Sequence, residues 1–230
     1  MAQGAGPVPA SIGQSRRPIG RLDWPMEAGT GPAPCAMRGG VVTTLDSGVI
    51  ASGQRVDLRV KRLSDAANDY AWRRDPVLAR YDAARPTSLT YEEFLATFTE
   101  ELLHPQPFRR TFAVIDHNEV HIGNVMYYNI DVQRRDAELG ITIGNPAYWG
   151  RGYGSEAVSL LVDHVFTVSS LTRLYLHTLD WNVRAQRAFE SAGFRDCGRA
   201  RRNQHRFHVM ELRREWRYER EYGRRGVPRG

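Results

Sequence analysis

The chain has 230 residues, of which 41% are hydrophobic and 25% charged, and its formal net charge is +6. This length and composition predict one globular, soluble domain with tails, and no stretch reaches the roughly 18 apolar residues of a membrane span. The positive charge lies at the ends, since residues 1–55 hold five Arg against three acids and 213–230 hold seven Arg against three Glu. A nucleic-acid footprint on the folded body is therefore not supported, although an Arg-rich tail that touches RNA stays open.

The two cysteines, Cys35 and Cys197, have no CxxC spacing and predict free thiols rather than a disulfide framework or a zinc site. The seven histidines also lack ligand spacing, so no metal is expected. These features are compatible with a cytoplasmic protein.

The first 54 residues are predicted to be a disordered or poorly ordered extension. Residues 1–40 are rich in Gly, Pro, Ala and Ser and show no sustained hydrophobic period, so they bury too little apolar surface to fold. A transit peptide and a translated leader before a later start at Met26 or Met37 are alternatives. A domain is then predicted at 55–216, followed by an Arg-rich tail at 217–230.

Alternating and helical hydrophobic periods locate the elements in chain order. Strands are predicted at 56–60, 111–115, 120–128, 137–143 and 173–179, with a closing hairpin at 194–200 and 205–212. Helices are predicted at 64–72 with Ser64 as N-cap, after Asp75-Pro76, behind a Thr90/Glu93 capping box, at 157–166, and at 182–192 before Gly193. This order predicts an α+β fold built on one mixed central sheet.

A glycine-rich stretch, WGRGYGSEA at 149–157, stands between the strand at 137–143 and the following helix. Glycines there let the backbone approach a phosphate, and a helix N-terminus offers free N–H groups and a positive dipole end. The stretch lacks the Lys of a Walker loop and the third Gly of a dinucleotide fingerprint. A phosphate-containing ligand is therefore predicted, with a glycine-rich turn that binds nothing as the alternative.

Two sequence blocks resemble those of the GNAT N-acetyltransferases. The segment 137–157, with its WGRGYGSEA loop, resembles motif A of the branch containing ribosomal-protein alanine and spermidine acetyltransferases. The segment NVRAQRAFESAGF at 182–194 resembles motif B. The resemblance spans roughly 54–216 and implies a sheet of about six to seven mostly antiparallel strands, splayed at the cofactor strand and flanked by about four helices.

The resemblance also implies a cofactor, acetyl-CoA, and the residues that hold it. The loop would bind the diphosphate and the preceding strand the pantetheine arm, and motif B would contact the same arm. The residues implied are Ile141, Thr142, Ile143, Trp149, Gly150, Arg151, Gly152, Tyr153, Gly154, Ser155, Asn182, Ala185 and Phe189.

The catalytic groups are less clearly marked. Glu138, at the start of the cofactor strand, is the candidate base, with a surface or structural carboxylate as the alternative. Asp136 and Glu93 are weaker candidates for the base. Phe189 stands where the family commonly has a Tyr that protonates the leaving thiolate, so Ser191, Tyr148 and Tyr153 are considered as substitutes. His177 precedes motif B and either faces the acceptor site or is a packed strand histidine, and the second interpretation is favoured.

The resemblance implies direct transfer of an acetyl group to a primary amine in a ternary complex. The acceptor would be a protein N-terminus or a small-molecule amine, and the enzyme a monomer or a homodimer. Because Phe189 lacks a hydroxyl, a non-catalytic acyl-CoA-binding or regulatory module is the alternative.

Overall fold

The computed structural model describes residues 48–222, and their strands form one eight-stranded sheet in the order β1-β2-β3-β4-β5-β6-β8-β7. The strands are β1 Val49–Ser52, β2 Val56–Val60, β3 Arg109–Asp116, β4 His121–Asp131, β5 Asp136–Ile143, β6 Arg173–Leu179, β7 Arg195–Arg202 and β8 His205–Arg213. The helices are α1 Ala66–Arg74, α2 Pro76–Tyr81, α3 Tyr91–Leu103, α4 Tyr153–Val168, α5 Val183–Ala192 and α6 Arg214–Tyr222.

All neighbouring strands are antiparallel except β5 and β6. Helix α4 makes the crossover that a parallel pair requires. The β5–β6 ladder is short, because it runs from Asp136 opposite Arg173 to Glu138 opposite Tyr175 and then ends. Both strands continue beyond that point, so the sheet opens into a gap between them, which we call the fork.

Helices α4 and α5 cover one face of the sheet. Helix α4 places Val158, Leu161, Val162 and Val165 on one side, the i, i+3, i+4, i+7 spacing of an amphipathic helix. This stripe is fully buried in a core shared with Leu139, Leu174, Leu176 and Phe189. Burial of each such side chain stabilises the fold by about 1.5–3 kcal/mol.

Helices α1 to α3 lie over the opposite face and have their own small core of Ala66, Phe94 and Phe98. Because successive side chains of a strand alternate between faces, this second face carries Asn124, Thr142 and Glu138. Asn124 donates to Asp69 of α1 at 2.8 Å, which attaches α1 to the sheet.

The predicted α+β fold with one mixed sheet is confirmed, but the number of elements differs. The described residues contain eight strands and six α-helices, where the periodicity predicted seven strands and five helices and the family resemblance implied about six to seven strands and about four helices. One additional strand is β1, which pairs with β2 although it lies before residue 55. The additional C-terminal helix, α6, begins inside the predicted domain and extends past residue 216.

Helix α1 begins at Ala66 rather than behind a Ser64 cap, because Ser64 lies inside the short 3-10 turn Leu63–Asp65. The predicted starts of α2 and α3 agree with the structure, since Asp75 and Thr90 cap them. Helix α4 begins at Tyr153, four residues before the predicted start at 157, because the glycine-rich turn ends at Gly152. Predictions about residues 1–47, including Cys35, and about 223–230 fall outside the described residues. Within 48–222, no helix is long and apolar enough to cross a membrane.

Candidate active site

The glycine-rich loop turns sharply before α4. Gly150 and Gly152 have φ of +70° and +88°, a left-handed conformation that favours glycine. Gly152 occupies the N-cap position of α4 and has no side chain that could accept a hydrogen bond from the first turn of the helix. The first-turn N–H groups of Tyr153, Gly154 and Ser155 have no acceptor within the helix. They are therefore free to bind an anion, which is the role predicted for this loop.

Close packing holds the N-terminus of α4 against the far end of β5. A Cβ built on Gly154 would lie 3.6 Å from Ile143 Cγ1 and 3.8 Å from Ile141 Cδ1. Trp149 Nε1 donates to the Ile143 carbonyl at 2.7 Å and fixes the start of the loop to the same strand end. Arg151 is exposed and donates to the Ala147 carbonyl at 3.2 Å.

Arg55, in the β1–β2 turn, is a site residue that no sequence signal identified. Its backbone N–H and its Nη1 donate to the Glu156 carboxylate at 2.8 and 3.1 Å. A Cβ built on Gly152 would lie 3.8 Å from Arg55 Nε, so the guanidinium stands beside the loop. Burial alone would raise the pKa of Glu156, but the hydrogen bonds from Arg55 outweigh it and lower that pKa.

The backbone N–H and C=O groups of β5 are directed alternately toward β4 and toward the fork. Gly144 N–H donates to the Ile122 carbonyl of β4 at 2.9 Å. Because alternate residues of an antiparallel strand direct their N–H and C=O groups to opposite sides, Ile141 and Ile143 direct theirs toward the fork. Thr142 directs its backbone to Asn124 of β4. Of the three predicted pantetheine contacts, Ile141 and Ile143 therefore direct backbone groups into the fork. The side chain of Thr142 instead lies on the sheet face that helices α1 to α3 cover.

Glu138 lies at the closed end of the fork and is buried, with 5% of its surface exposed. Its carboxylate accepts from Asn129 Nδ2 at 3.1 Å and is hydrogen-bonded to Tyr128. Its other oxygen is 2.7 Å from His177 Nδ1. Burial would raise the pKa of Glu138, but the hydrogen bonds from His177 and Asn129 outweigh it and lower that pKa. Glu138 is therefore an ionised, fully engaged carboxylate at neutral pH.

His177 is hydrogen-bonded to Glu138 across the fork and to Arg202 on its other side. Arg202 Nη2 is 3.1 Å from His177 Nε2. Because a guanidinium only donates, Nε2 accepts, and the ring proton is on Nδ1, which donates to Glu138. His177 follows Tyr175 by two residues on β6, so both side chains lie on the same face as Glu138. We call this face, which carries Glu138, Thr142, Tyr175 and His177, the acceptor face.

The motif B residues lie along α5. Asn182 caps the helix, and its side chain accepts from the Ala185 N–H at 3.3 Å. Phe189 is buried, with its ring 6.0 Å from that of Phe194. Ser191 is exposed near the other end of α5, where its hydroxyl donates to the Arg187 carbonyl at 2.7 Å. The helix thus brings Asn182 to the open end of the fork and keeps Ser191 about 13 Å along its axis from that end.

An aromatic cluster joins the two arms of the fork at their open end. The ring of Tyr81, the last residue of α2, lies 5.5 Å from Trp149, which follows β5, and 5.2 Å from Trp181, which follows β6. The guanidinium of Arg184 lies 3.8 Å from the Trp149 ring centroid. Beside it, the exposed Asp82 is hydrogen-bonded to the Thr142 side chain on the acceptor face. Only Trp149 of this cluster was among the predicted site residues.

Among residues 48–222, no group of three or more His, Cys, Asp and Glu side chains could hold a metal ion. The glycine-rich loop and the fork instead fit an organic ligand that carries a diphosphate on a chain with amide groups. The free N–H groups at the start of α4 suit the diphosphate, and the backbone of Ile141 and Ile143 suits the amides.

The comparisons with known proteins agree with this geometry. The model of the acetyltransferase (GNAT) domain family matches residues 55–195. An uncharacterized N-acetyltransferase p20 of Bacillus licheniformis is 29% identical over 147 residues, which are 63% of this chain and 82% of that relative. Spermidine N(1)-acetyltransferase of Vibrio cholerae is 32% identical over 110 residues, which are 47% of this chain and 62% of that relative.

Among solved structures, spermidine N-acetyltransferase from Vibrio cholerae in complex with CoA and spermine matches with a TM-score of 0.63 and 22% identity. The match covers 71% of this chain and 98% of that one. Since the family model covers more than half of the sequence, the chain belongs to the GNAT acetyltransferase family. It is an acetyl-CoA-dependent N-acetyltransferase, as the two motifs predicted.

Proposed function

We propose that this enzyme acetylates a primary amine of a small polycationic molecule, with a polyamine as the best-supported acceptor. The observation that carries the proposal is the fork, which ends at Glu138 and Tyr175 and opens on a face that bears carboxylates. Acetyl-CoA supplies the activated acetyl thioester, and the chain supplies placement and charge.

The predicted cofactor residues would hold acetyl-CoA in an extended conformation from the start of α4 through the fork to Glu138. The N–H groups of Tyr153, Gly154 and Ser155 would bind the diphosphate, with Arg151 and Arg55 as the nearby cations. The backbone groups of Ile141 and the N–H of Ile143, whose carbonyl already accepts from Trp149, would bind the pantetheine amides within the fork. The acetyl group would then reach the closed end, beside Glu138.

The amine would approach that point from the acceptor face, between the sheet and helices α1 to α3. Helices α4 and α5 fill the other face of the fork with the apolar core, so the acceptor must arrive on the acceptor face. There Glu138 is ionised and Asp82 is exposed, which favours a cationic acceptor. Two spermidine acetyltransferases, from Vibrio cholerae and Escherichia coli, are 32% and 33% identical to this chain over the matched segments, which supports a polyamine.

Release of free thiol from acetyl-CoA tests the proposal. The panel contains spermidine, spermine, a monoamine of similar length, an aminoglycoside and a peptide with a free N-terminal Ala. We expect kcat/KM to be highest for a polyamine. A higher value for the peptide would overturn the acceptor assignment and leave acetyl transfer intact. A cytoplasmic location and a monomeric or homodimeric state stay part of this proposal.

A further inference from the structure

We propose that His177 is the base that takes the proton from the acceptor's ammonium group, and that Glu138 is the carboxylate that orients it. This inference rests on the proposed function, since it concerns the acceptor amine. It also changes the earlier assignment, in which Glu138 was the candidate base and His177 was interpreted as a packed strand histidine.

The first argument is position. His177 lies on β6 two residues beyond Tyr175, where the ladder to β5 ends, and its ring reaches back to Glu138 on β5. The imidazole therefore spans the closed end of the fork on the acceptor face. Its side chain is 11% exposed, so it is shielded but not sealed from that face.

The second argument is the division of hydrogen bonds. Glu138 receives hydrogen bonds from Asn129, Tyr128 and His177, which hold its pKa below the ordinary value. A carboxylate with a lowered pKa and filled acceptor positions is a weak base. His177, by contrast, has its Nδ1 proton directed to Glu138, and this orientation makes Nε2 the basic atom.

The third argument comes from Arg202. Its Nη2 places a cationic N–H donor 3.1 Å from Nε2, which is the contact that a substrate ammonium would make. Arg202 lies at the end of β7, beside the turn at residues 203 and 204, and is partly exposed. In the reacting complex the ammonium takes the place of this guanidinium at Nε2.

The proton and electron balance is then complete. His177 Nε2 removes one proton from the ammonium, which frees the nitrogen lone pair. That lone pair forms the C–N bond to the thioester carbonyl carbon, the C–S bond breaks, and the sulfur leaves with its electron pair. The nitrogen's next proton passes to the sulfur, and His177 releases its proton to water.

The test compares His177→Gln with a matched variant, His208→Gln. His208 Nδ1 also lies 2.7 Å from a carboxylate, that of Asp196, but its neighbours place it on the opposite face of the sheet. Gln at 177 keeps a donor for Glu138 and removes the base. We expect kcat/KM for spermidine at pH 7 to fall about 10²–10⁴-fold in His177→Gln, the usual contribution of a general base. For His208→Gln we expect kcat/KM to stay within about 3-fold of the parent value, far from the loss that follows removal of a general base.

Further measurements separate catalysis from structure. The acidic limb of the pH profile of kcat/KM should disappear in His177→Gln, and an acceptor that is already neutral at pH 7 should lose much less. The groups that face the ring are Glu138 from β5, Arg202 from β7 and Tyr175 from β6, so Glu138→Gln should shift that limb. The affinity for acetyl-CoA and the melting temperature should match those of the parent.

A His177→Gln enzyme that keeps the parent's kcat/KM and acidic limb would overturn the inference. So would an NMR spectrum of the parent in which Nε2, rather than Nδ1, carries the ring proton at neutral pH. If the parent itself acetylates no amine on the panel, the proposed function fails instead, and the NMR result still decides the tautomer.

Discussion

Arg55 and Glu156, which are 101 residues apart, are joined by a backbone and a side-chain hydrogen bond of 2.8 and 3.1 Å. Glu156 belongs to the glycine-rich motif but points away from the diphosphate position, toward the β1–β2 turn. Gly53 leaves room for it, since a Cβ there would lie 2.2 Å from Glu156 Oε1. The motif's glutamate thus fixes the loop to the sheet and places an arginine beside Gly152.

Arg55→Ala should weaken acetyl-CoA binding. The change removes a cation beside the loop and one of the two bonds to Glu156, so we expect Kd for acetyl-CoA to rise about 3- to 10-fold. Titration calorimetry measures this. Arg110→Ala, at the opposite end of β3, is the control and should leave Kd unchanged, because Arg110 donates only to nearby carbonyls. Equal effects of the two variants would contradict a specific role for Arg55.

Gly152→Ala should weaken cofactor binding through the backbone. There is room for a methyl group, because the nearest atom is 3.8 Å away, but the φ of +88° is unfavourable for Ala. The strain of about 1–2 kcal/mol should raise Kd for acetyl-CoA about 5- to 30-fold. Gly154→Ala is the matched control, since Gly154 is helical and its added Cβ makes ordinary contacts. If both variants bind equally well, the left-handed turn does not matter for the cofactor.

Asp82→Asn should affect polyamines more than monoamines. Asp82 is exposed on the acceptor face beside Thr142, although the surroundings of its carboxyl desolvate it and raise its pKa to about 6. It is therefore mostly ionised at pH 7, and its charge attracts a second ammonium group of the acceptor. We expect KM for spermidine to rise about 2- to 5-fold and kcat to stay nearly unchanged, because an exposed ion pair contributes up to about 1 kcal/mol to binding. Glu100→Gln removes another exposed carboxylate, on α3, and serves as the control. An equal change in KM for the monoamine would count against this role.

Thr90→Ala should destabilise the enzyme. Thr90 Oγ1 accepts from the Glu93 N–H at 3.3 Å, and Glu93 Oε2 accepts from the Thr90 N–H at 2.8 Å, which is a complete capping box. Its loss should lower the free energy of unfolding by about 1 kcal/mol in a urea titration. Thr97→Ala, in the same helix, should change it by less than about 0.5 kcal/mol.

Asp65 should make the fold sensitive to acid. Burial alone would raise its pKa, but hydrogen bonds from Arg59 and the Arg62 N–H and the charge of Lys61 lower that pKa to about 2. This lowered pKa stabilises the fold above the ordinary Asp range, and the contribution of about 2 kcal/mol is lost as the pH falls from about 4 to about 2. Unfolding free energies measured across that range should show the loss.

The matched variant for this effect is Asp65→Asn. It should be less stable than the parent at pH 7 by about 3–5 kcal/mol, because it leaves the buried Arg59 without its ion pair. It should also show a flatter dependence on acid. An unchanged acid dependence would mean that another carboxylate is responsible.

Local features of the site could be predicted from the sequence. Gly150 and Gly152 predicted the turn, and Asn182 and Gly193 predicted both ends of α5, because these effects depend on residues within one turn of each other. The fork was implied only by the family resemblance. No local signal states that the β5–β6 ladder stops at Glu138.

Contacts between distant segments could not be predicted in this way. Glu138 and His177 are 39 residues apart, and their hydrogen bond depends on the register of a parallel pair, which hydrophobic patterns leave open. The Arg55–Glu156 pair depends on the β1–β2 turn meeting the start of α4. The strand β1 was missed because Val49–Ser52 is only four residues long and lies in the segment 1–54 that was predicted to be poorly ordered.

The short ladder between β5 and β6 means that a donor bound in the fork would also be a structural component of this enzyme. Beyond Glu138, the edge of β5 lacks a strand partner, and the two amides of pantetheine would complete its hydrogen bonding as an added strand does. At a concentration 100 times its Kd, such a ligand stabilises the folded state by about 2.7 kcal/mol. We therefore expect the protease resistance of the enzyme to follow the supply of acetyl-CoA, so that a cell poor in acetyl-CoA would lose the protein as well as the reaction.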